Sequence, residues 1–286
     1  MSSDVFQSLW IGSRLSSMEL LSIESFLHFG YEYHLYSYQP IENVPPGVKV
    51  FDASEILPES QIYYQRGIFG AGSPASFSDI WRYRLLHEKG GWWVDADVVC
   101  VRPFTFDGEH IVGRQREGDE FGLNNAVIRA PAGSHLALRC YEESRRIAAD
   151  NLPWGTTGPK LIDRVVSELG MDDCVQPPET FYEIDYDDFG RLFTNEELPN
   201  GTYGLHLWQA MWKDYGIDVD GPFPANCLYE RLRRKILSNY QPPELGERET
   251  QRITTKLLRA NSPVRLKRRR RVRRIVQAMS PWSKAA

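Results

Sequence analysis

The chain has 286 residues and a net charge of −4 at pH 7, with 42% hydrophobic and 25% charged residues. These proportions are typical of a globular protein. They exclude a disulfide scaffold, and no stretch reaches the roughly 18 to 20 apolar residues of a membrane span.

The four cysteines are widely scattered and lack the spacing of a zinc site, so we expect a reducing compartment. A cleaved signal peptide has a basic segment followed by an apolar one, and the N-terminal stretch "MSSDVFQSLWIG" has neither. We therefore expect the protein to be cytoplasmic.

The first elements predict a β-α-β unit. Leu9–Ile11 is a short apolar strand, and Ser16 with Glu19 three residues later forms the capping box of a helix that ends at Gly30. Tyr31–Tyr38 and Val48–Ala53 are expected to be the next two strands. This order favours an α/β fold with a mainly parallel sheet.

A second helix follows, with Ser73 predicted as its N-cap, Pro74 as its first residue and Gly90-Gly91 as its end. The later pattern predicts one more strand and further helices: strand Asn124–Pro131, helices Ser134–Asp150 and Gly158–Gly170, and polar helix from Leu228 onward. We expect a catalytic domain over residues 1–235 and a helical C-terminal extension over 236–286.

The extension contains "RLKRRRRVRR", Arg265–Arg274, with eight Lys or Arg residues and no acid. Removing these eight charges from the net −4 leaves −12 on the rest of the chain. A solvated tail and a contact with anionic lipid headgroups are both open interpretations. Nucleic acid is not expected as a partner, because the acidic body would repel phosphates.

The stretch "GGWWVDADVVCV", Gly90–Val101, places Asp95 and Asp97 inside an apparently buried strand. Burying unpaired carboxylates is unfavourable, so a partner for them is expected. Residues two apart in a strand project to the same face, and paired carboxylates suit Mg²⁺ or Mn²⁺ bound to phosphate oxygens. Other Asp-x-Asp triplets, at Asp185 and Asp218, lack this setting.

In the preceding helix, Asp79 and Arg82 are three residues apart and share a face. A carboxylate and a guanidinium are suited to hold sugar hydroxyls and a diphosphate. Taken alone, this spacing is also typical of a surface ion pair.

Three stretches, "SLWIG", "ASFSDIWRYRLLHEKGGWWVDADVVCVRPF" and "WGTTGPKLI", resemble glycosyltransferase family 32 and its relatives with the DXD sugar-binding region. The resemblance extends from about Leu9 to Trp208. It implies a GT-A fold, a Rossmann-like α/β/α sandwich that binds a nucleotide, and a reaction that retains the anomeric configuration.

The resemblance also implies roles for individual residues. Trp10 would stack on the nucleotide base, although a buried strand aromatic is the equal alternative. Asp79 and Arg82 would contact the donor sugar, Asp95 the ribose and metal side, and Asp97 would bind the metal directly.

Three further positions carry weaker expectations. His206, in "GLHLWQAMW" with Trp208, is a candidate metal ligand or phosphate donor, or a structural histidine. Asn124 and Asn125, placed after a turn at Gly122, could bond sugar hydroxyls. Thr157 opens the Thr-Gly-Pro sequence that matches a later loop of the family.

The sequence thus predicts a retaining glycosyltransferase that uses Mn²⁺ or Mg²⁺, with a nucleotide-diphosphate sugar, most often a UDP-sugar in this family, as donor. Its acceptor would be a glycan or a lipid-linked glycan in bacterial surface or capsular polysaccharide synthesis. Lipid contact through the basic run, one of the two open interpretations above, would place it on the inner face of the membrane. The alternatives are a haloacid dehalogenase-type phosphatase, which also has Asp-x-Asp after an apolar strand, and a non-catalytic glycan-binding protein of the same fold.

Overall fold

A computed structural model of the chain describes residues 4–66, 70–148 and 150–260. Within these ranges there are nine strands and eight α-helices. The strands are β1 (Val5–Trp10), β2 (Glu32–Ser37), β3 (Lys49–Asp52), β4 (Gly91–Val94), β5 (Val98–Cys100), β6 (Ile111–Glu117), β7 (Glu120–Ala130), β8 (Val175–Gln176) and β9 (Gly204–His206). The helices are α1 (Ser17–His28), α2 (Ala75–Lys89), α3 (His135–Ile147), α4 (Pro159–Glu168), α5 (Pro178–Phe181), α6 (Gln209–Tyr215), α7 (Leu228–Ile236) and α8 (Glu247–Ala260).

Seven strands form one sheet in the order β3-β2-β1-β4-β7-β6-β8. All neighbouring pairs are parallel except those of β7, which runs antiparallel to both β4 and β6. The remaining two strands, β5 and β9, pair antiparallel in a small separate sheet. The predicted class, an α/β sandwich with a mainly parallel sheet, is confirmed.

Side chains that alternate along the strands fill two cores, one on each face of the sheet. Trp92 belongs to the core that α1, α6 and α7 cover, whereas Trp93 belongs to the core under α2, α3 and α4. Both indoles are at most 1% exposed. Because β4 is apolar on both faces, it is a central strand, and its end is held firmly from both sides.

The prediction of one continuous strand over Gly90–Val101 is wrong, because two strands, β4 and β5, occupy this stretch. The chain leaves the main sheet after Val94, turns through residues 95–97, and continues as β5. A hydrogen bond of 3.0 Å from the backbone N–H of Val98 to the carbonyl of Asp95 closes this turn. Asp95 and Asp97 therefore lie at the carboxyl edge of the parallel strands and are not related by strand alternation.

Two smaller expectations also need correction. Helix α2 begins one residue later than predicted, with Pro74 as its N-cap, while Ser73 Oγ accepts the backbone N–H of Ala75. Gly122 does not form a turn but lies within β7, together with Asn124 and Asn125. The turn signal was misleading because an antiparallel strand that is long and partly exposed tolerates a glycine.

The capping box of α1 is confirmed: Ser16 and Glu19 each bond the other's backbone N–H. In the C-terminal part, α8 follows α7 after a connection without regular structure, and its Leu257 is buried in the core that contains Trp92. The boundary at residue 235 stays a prediction, and the basic run Arg265–Arg274 lies outside the described residues. Among the helices described, none combines the length and the apolar character that crossing a bilayer requires.

The double glycine before β4 gives a test of this architecture. Gly90 has φ 68° and ψ −168°, a combination open to glycine alone, and a Cβ there would lie 2.4 Å from the backbone nitrogen of Ala132. Gly90→Ala should lower the free energy of unfolding by about 2 to 4 kcal/mol, since backbone strain and a backbone clash add.

Gly30→Ala is the matched control. Gly30 also has a positive φ, of 80°, but a Cβ added there would have no atom within 4 Å. Gly30→Ala should lower the free energy of unfolding by only about 1 kcal/mol. Urea unfolding measures both variants, and equal losses would contradict the close approach at Gly90.

Candidate active site

The turn after β4 brings its two acids to the carboxyl edge of the sheet, where ligands bind in open α/β folds. Asp95 is fixed from both sides: its backbone N–H donates to Ala126 of β7 at 2.8 Å, and its Oδ1 accepts the indole N–H of Trp93 at 2.8 Å. Trp10 ends the neighbouring parallel strand β1 at the same edge. The turn thus presents its carboxylates beside the end of β1.

Arg82 of α2 joins this turn to the helix behind it. Its Nη1 lies 2.8 Å from Asp95 Oδ1 and 2.6 Å from the carbonyl oxygen of Asn125, and its Nη2 lies 3.5 Å from Asp79 Oδ1. Ser78 accepts from Nε and Nη2, and the guanidinium stacks 4.6 Å above the ring of Trp93. At 4% exposure, Arg82 is a buried cation between two carboxylates, not part of a surface ion pair.

Asp79 is buried at the centre of a second group of polar side chains. Its Oδ1 accepts from the amide of Asn125 at 2.7 Å, and its Oδ2 accepts from the hydroxyl of Thr157 at 2.8 Å. Tyr83 OH lies 3.3 Å from the same Asn125 amide. A Cβ on Gly158 would come within 2.9 Å of Asp79 Oδ2, so the glycine after Thr157 permits this close approach. The Thr-Gly-Pro loop therefore packs directly onto Asp79.

Asp97 contacts the C-terminal part of the chain. Its Oδ1 lies 3.2 Å from Nε2 of His206 in β9, and its Oδ2 accepts the backbone N–H of Gln209 at 2.8 Å. Its carbonyl accepts the N–H of Leu207 at 2.9 Å. Between these two donors lies Trp208, which among the described residues is the one non-glycine with a positive φ, 59°. The left-handed residue turns the chain so that both neighbouring amides reach Asp97.

Asp95, Asp97 and His206 form a candidate metal site. One donor atom from each of the three residues can be chosen so that all lie within 4.8 Å of one another. Two carboxylates and an imidazole fit a divalent cation such as Mn²⁺ or Mg²⁺. The buried Nδ1 of His206 has no hydrogen-bond partner in the described part of the chain. The ring is held by the contact of Nε2 with Asp97 and by packing on Trp208, with the two ring centroids 3.9 Å apart.

The pKa values of Asp95 and Asp97 are shifted in opposite directions. Burial, together with the charge of Asp97, raises the pKa of Asp95 to about 6, although Arg82 opposes the shift. Burial would also raise the pKa of Asp97, but the charge and hydrogen bond of His206 and the N–H of Gln209 lower it below its ordinary value. Burial raises the pKa of Asp79. Desolvation works against the charge of Arg82, yet Asp95 and Asp79 raise its pKa. Arg82 thus remains a cation.

Trp10 is half-buried, and its buried indole N–H has no partner among the described residues. A Cβ at Gly12 would lie 3.1 Å from this nitrogen, so the chain passes closely over the ring after β1. The position permits stacking on a base at the carboxyl edge, and that role stays a prediction.

The structure thus brings together most residues expected from the sequence. Asp79, Arg82, Asp95 and Asn125 are linked through contacts to one guanidinium, and Asp97 and His206 are in direct contact. Arg82 directs its N–H groups to protein oxygens, so its expected contact with a diphosphate stays a prediction. The sequence did not point to Gln209 or to Trp93 as part of the site, since a backbone donor and a strand tryptophan carry no distinctive spacing.

Two family models match segments that contain these residues. The model described as the alpha 1,4-glycosyltransferase conserved region matches residues 149–236, which include Thr157 and His206. Over these residues the chain is similar to the α-1,4-glycosyltransferases. A second model, described as a capsular polysaccharide synthesis protein, matches residues 61–109, from before Asp79 to beyond Asp97. The predicted resemblance to this group of glycosyltransferases is confirmed.

Curated relatives of this chain are also named as glycosyltransferases. The human alpha-1,4-N-acetylglucosaminyltransferase is 26% identical over 174 residues, which cover 55% of this chain and 48% of the relative. The lactosylceramide 4-alpha-galactosyltransferase of Pongo pygmaeus is 26% identical over 151 residues, covering 46% of this chain and 66% of the relative. The chain therefore spans about half to two thirds of the length of these relatives.

Among solved structures, one titled PaToxG Glycosyltransferase has a TM-score of 0.42 at 13% identity, covering 91% of this chain and 86% of the other. The ligand-free glycosyltransferase domain of the YGT toxin has a TM-score of 0.43 at 10% identity, covering 91% and 96%.

The raised pKa of Asp95 predicts a pH dependence of stability in the metal-free protein. Because the folded chain binds this proton more tightly than the unfolded chain does, the carboxyl favours the folded state at pH values below about 4. This contribution, on the order of 1 to 3 kcal/mol, is lost as the pH rises through about 6.

Asp95→Asn removes the titration and resembles the protonated acid. Relative to the parent, this variant should gain stability between pH 4 and pH 7, as measured by urea unfolding. Asp97→Asn should be less stable than the parent by a constant amount between pH 4 and pH 7. That difference should shrink as the pH falls below about 4, because a lowered carboxyl pKa gives stability that is lost as the carboxylate is protonated. A pH-independent difference for Asp95→Asn would contradict the raised pKa.

Proposed function

We propose that this protein is a metal-dependent, retaining glycosyltransferase that transfers a sugar from a nucleotide-diphosphate sugar to a glycan or lipid-linked acceptor. One observation carries the proposal: Asp95, Asp97 and His206 converge beside the Arg82 cluster, in a chain with the α-1,4-glycosyltransferase conserved region. The convergence joins residues from both matched segments. An incidental pair of acids at a strand end would not need partners so far apart in sequence.

The three convergent residues would hold the cation. Mn²⁺ is favoured over Mg²⁺, because an imidazole is a softer ligand than the oxygens that Mg²⁺ prefers. A bound cation supplies Lewis-acid stabilisation of the negative charge that develops on the departing diphosphate. Asp97 is the better prepared ligand, since His206 and Gln209 keep its pKa low and its carboxylate in one orientation.

The chain's other side chains would bind and orient the donor. Trp10 would stack on the base, and Asp95 would serve the ribose and metal side. Asp79 and Asn125 would accept and donate hydrogen bonds to sugar hydroxyls, with Thr157 fixing the Asp79 carboxylate. Arg82 would hold Asp79 and Asp95 in register, a role supported by its contacts to both.

For the transfer, the acceptor hydroxyl would attack the anomeric carbon on the face from which the diphosphate leaves. The new bond joins the acceptor oxygen to that carbon, the bond from carbon to phosphate oxygen breaks, and the acceptor's proton passes to the leaving phosphate. This scheme needs no protein nucleophile, and it retains the configuration of the donor.

The donor and the biological setting are inferred from the names of the relatives and from the second family model. Because the relatives are named as a galactosyltransferase and an N-acetylglucosaminyltransferase, we infer a UDP-sugar as the donor. The match to a capsular polysaccharide synthesis model over residues 61–109 supports a role in surface polysaccharide synthesis. A cytoplasmic location, with membrane contact through Arg265–Arg274, completes the proposal.

The deciding experiment measures nucleoside diphosphate release from a panel of UDP- and GDP-sugars, with Mn²⁺, with Mg²⁺ and with chelator. We expect release from one donor that requires a divalent cation, and a fall of at least about hundredfold in Asp97→Ala, which loses the best prepared ligand. Asp173→Ala, an exposed acid away from this edge, is the control and should behave as the parent.

Acceptor-containing reactions, with glycan and lipid-linked acceptors, belong to the same panel. Parent-like turnover by a folded Asp97→Ala would contradict the proposal. Release of phosphate from simple phosphomonoesters would instead support the phosphatase alternative, and nucleotide-sugar binding without turnover on any acceptor would support the non-catalytic one.

The role of Trp10 is tested separately. Trp10→Ala should weaken UDP binding by about 5- to 150-fold, since stacking on a base contributes roughly 1 to 3 kcal/mol, whereas Trp10→Phe should lose less. Calorimetric titration of folded variants with UDP and Mn²⁺ measures the change. Unchanged affinity in Trp10→Ala would show that the indole is a packing residue only.

A further inference from the structure

Glu19 is a buried acid that lies close to the candidate metal site without belonging to it. It occupies the first turn of α1 and is 1% exposed, and one of its oxygens, Oε2, accepts the backbone N–H of Ser16 at 2.6 Å. The capping box thus uses half of the carboxylate. The other oxygen is free to bind a group from elsewhere in the chain.

That group is the side chain of Gln209, whose Nε2 donates to Glu19 Oε1. Gln209 begins α6, and its backbone N–H is the donor that holds Asp97 Oδ2 at 2.8 Å. A single residue therefore contacts the proposed metal ligand through its backbone and a buried carboxylate through its side chain. The contact joins chain positions that are 190 residues apart.

A second contact ties the same helix end to the segment after α6. Ser17 donates from its backbone to Asp220 at 2.7 Å and from its hydroxyl to the carbonyl of Val219 at 2.8 Å. Helix α1 follows strand β1, whose last residue is Trp10, after a short connection. The Glu19–Gln209 pair consequently connects the base side of the proposed site with its metal side.

We propose that Gln209 is a positioning residue for the metal ligand Asp97, and that Glu19 anchors it. The inference rests on the proposed function only in that Asp97 binds a cation. Without the Gln209 side chain, the backbone N–H of residue 209 remains, but the start of α6 is no longer fixed against α1. Asp97 and His206 would then sample more orientations, and the cation would bind more weakly.

The test uses variants of the full chain and two readouts. The first is the affinity for Mn²⁺ alone, measured from the electron paramagnetic resonance signal of the free ion. The second is hydrogen exchange of the backbone amides of residues 207–209 in metal-free protein, which reports on the contact between Glu19 and Gln209 whether or not a metal binds. Circular dichroism shows that each variant is folded.

Gln209→Ala should weaken Mn²⁺ binding by about 10- to 100-fold, as for other groups that orient metal ligands, and should speed exchange of these amides. Gln209→Glu places two carboxylates in contact and should do the same. Lys213→Ala, on the exposed side of α6, is the control and should match the parent.

Adding Glu19→Gln to Gln209→Glu should restore the Mn²⁺ affinity and the slow amide exchange of the parent. The exchanged pair can again form one hydrogen bond, because the new amide at position 19 donates to the new carboxylate at position 209. The amide oxygen at position 19 still accepts the backbone N–H of Ser16.

The outcomes separate the inference from the function. Amide exchange in Gln209→Ala equal to that of the parent overturns the inference. If the parent binds Mn²⁺ through Asp97, an equal Mn²⁺ affinity of Gln209→Ala also overturns it. Faster exchange, restored in the paired variant, supports the positioning contact. If that result came with no Mn²⁺ binding by the parent, the proposed metal-dependent function would fail while the contact stood.

Discussion

The buried guanidinium of Arg82 is the interaction on which the arrangement at the sheet edge depends. It bridges Asp79 on its own helix and Asp95 at the end of β4, and it also holds the carbonyl of Asn125 on β7. Desolvating one cation and two carboxylates is unfavourable unless every partner is satisfied. Ser78 and Trp93 complete that satisfaction. Removing the cation would leave two acids buried side by side, so the cluster holds helix, strand and turn in one relative position.

At the candidate metal site, Asp97 is oriented by the backbone instead of by charge. Asp97 is held by the amides on either side of Trp208, so its orientation depends on a left-handed residue and on the seating of α6. Backbone strain of this kind persists where the surrounding packing fixes it. Here the indole of Trp208 donates to the carbonyl of Ile184 at 2.6 Å and lies against His206. The two acids of the turn are therefore positioned by different means, Asp95 by charge and Asp97 by chain geometry.

Local sequence patterns predicted much of the fold. The capping box at Ser16, the helix before Gly90 and the parallel class depend on contacts between near neighbours, and these were confirmed. The acids were found for a partly wrong reason, because an apolar run cannot show that the chain turns after Val94. The contact of Thr157 with Asp79 and the pairing of Glu19 with Gln209 join distant segments, and no spacing along the chain encodes them. The resemblance to a known family supplied roles that periodicity could not.

The small sheet of β5 and β9 has a consequence for how the protein is made. Val98 pairs with His206, so the segment that follows the acids completes its hydrogen bonds only with a strand that is more than a hundred residues later in the chain. During synthesis, chains emerge at about 5 to 20 residues per second, and contacts between distant segments close late. A nascent chain that ends before β9 contains Asp95 and Asp97 but lacks the imidazole and the amides that orient Asp97. Six strands of the main sheet and the short β8 thus precede β9 in synthesis, and the candidate metal site can form only after β9 has emerged.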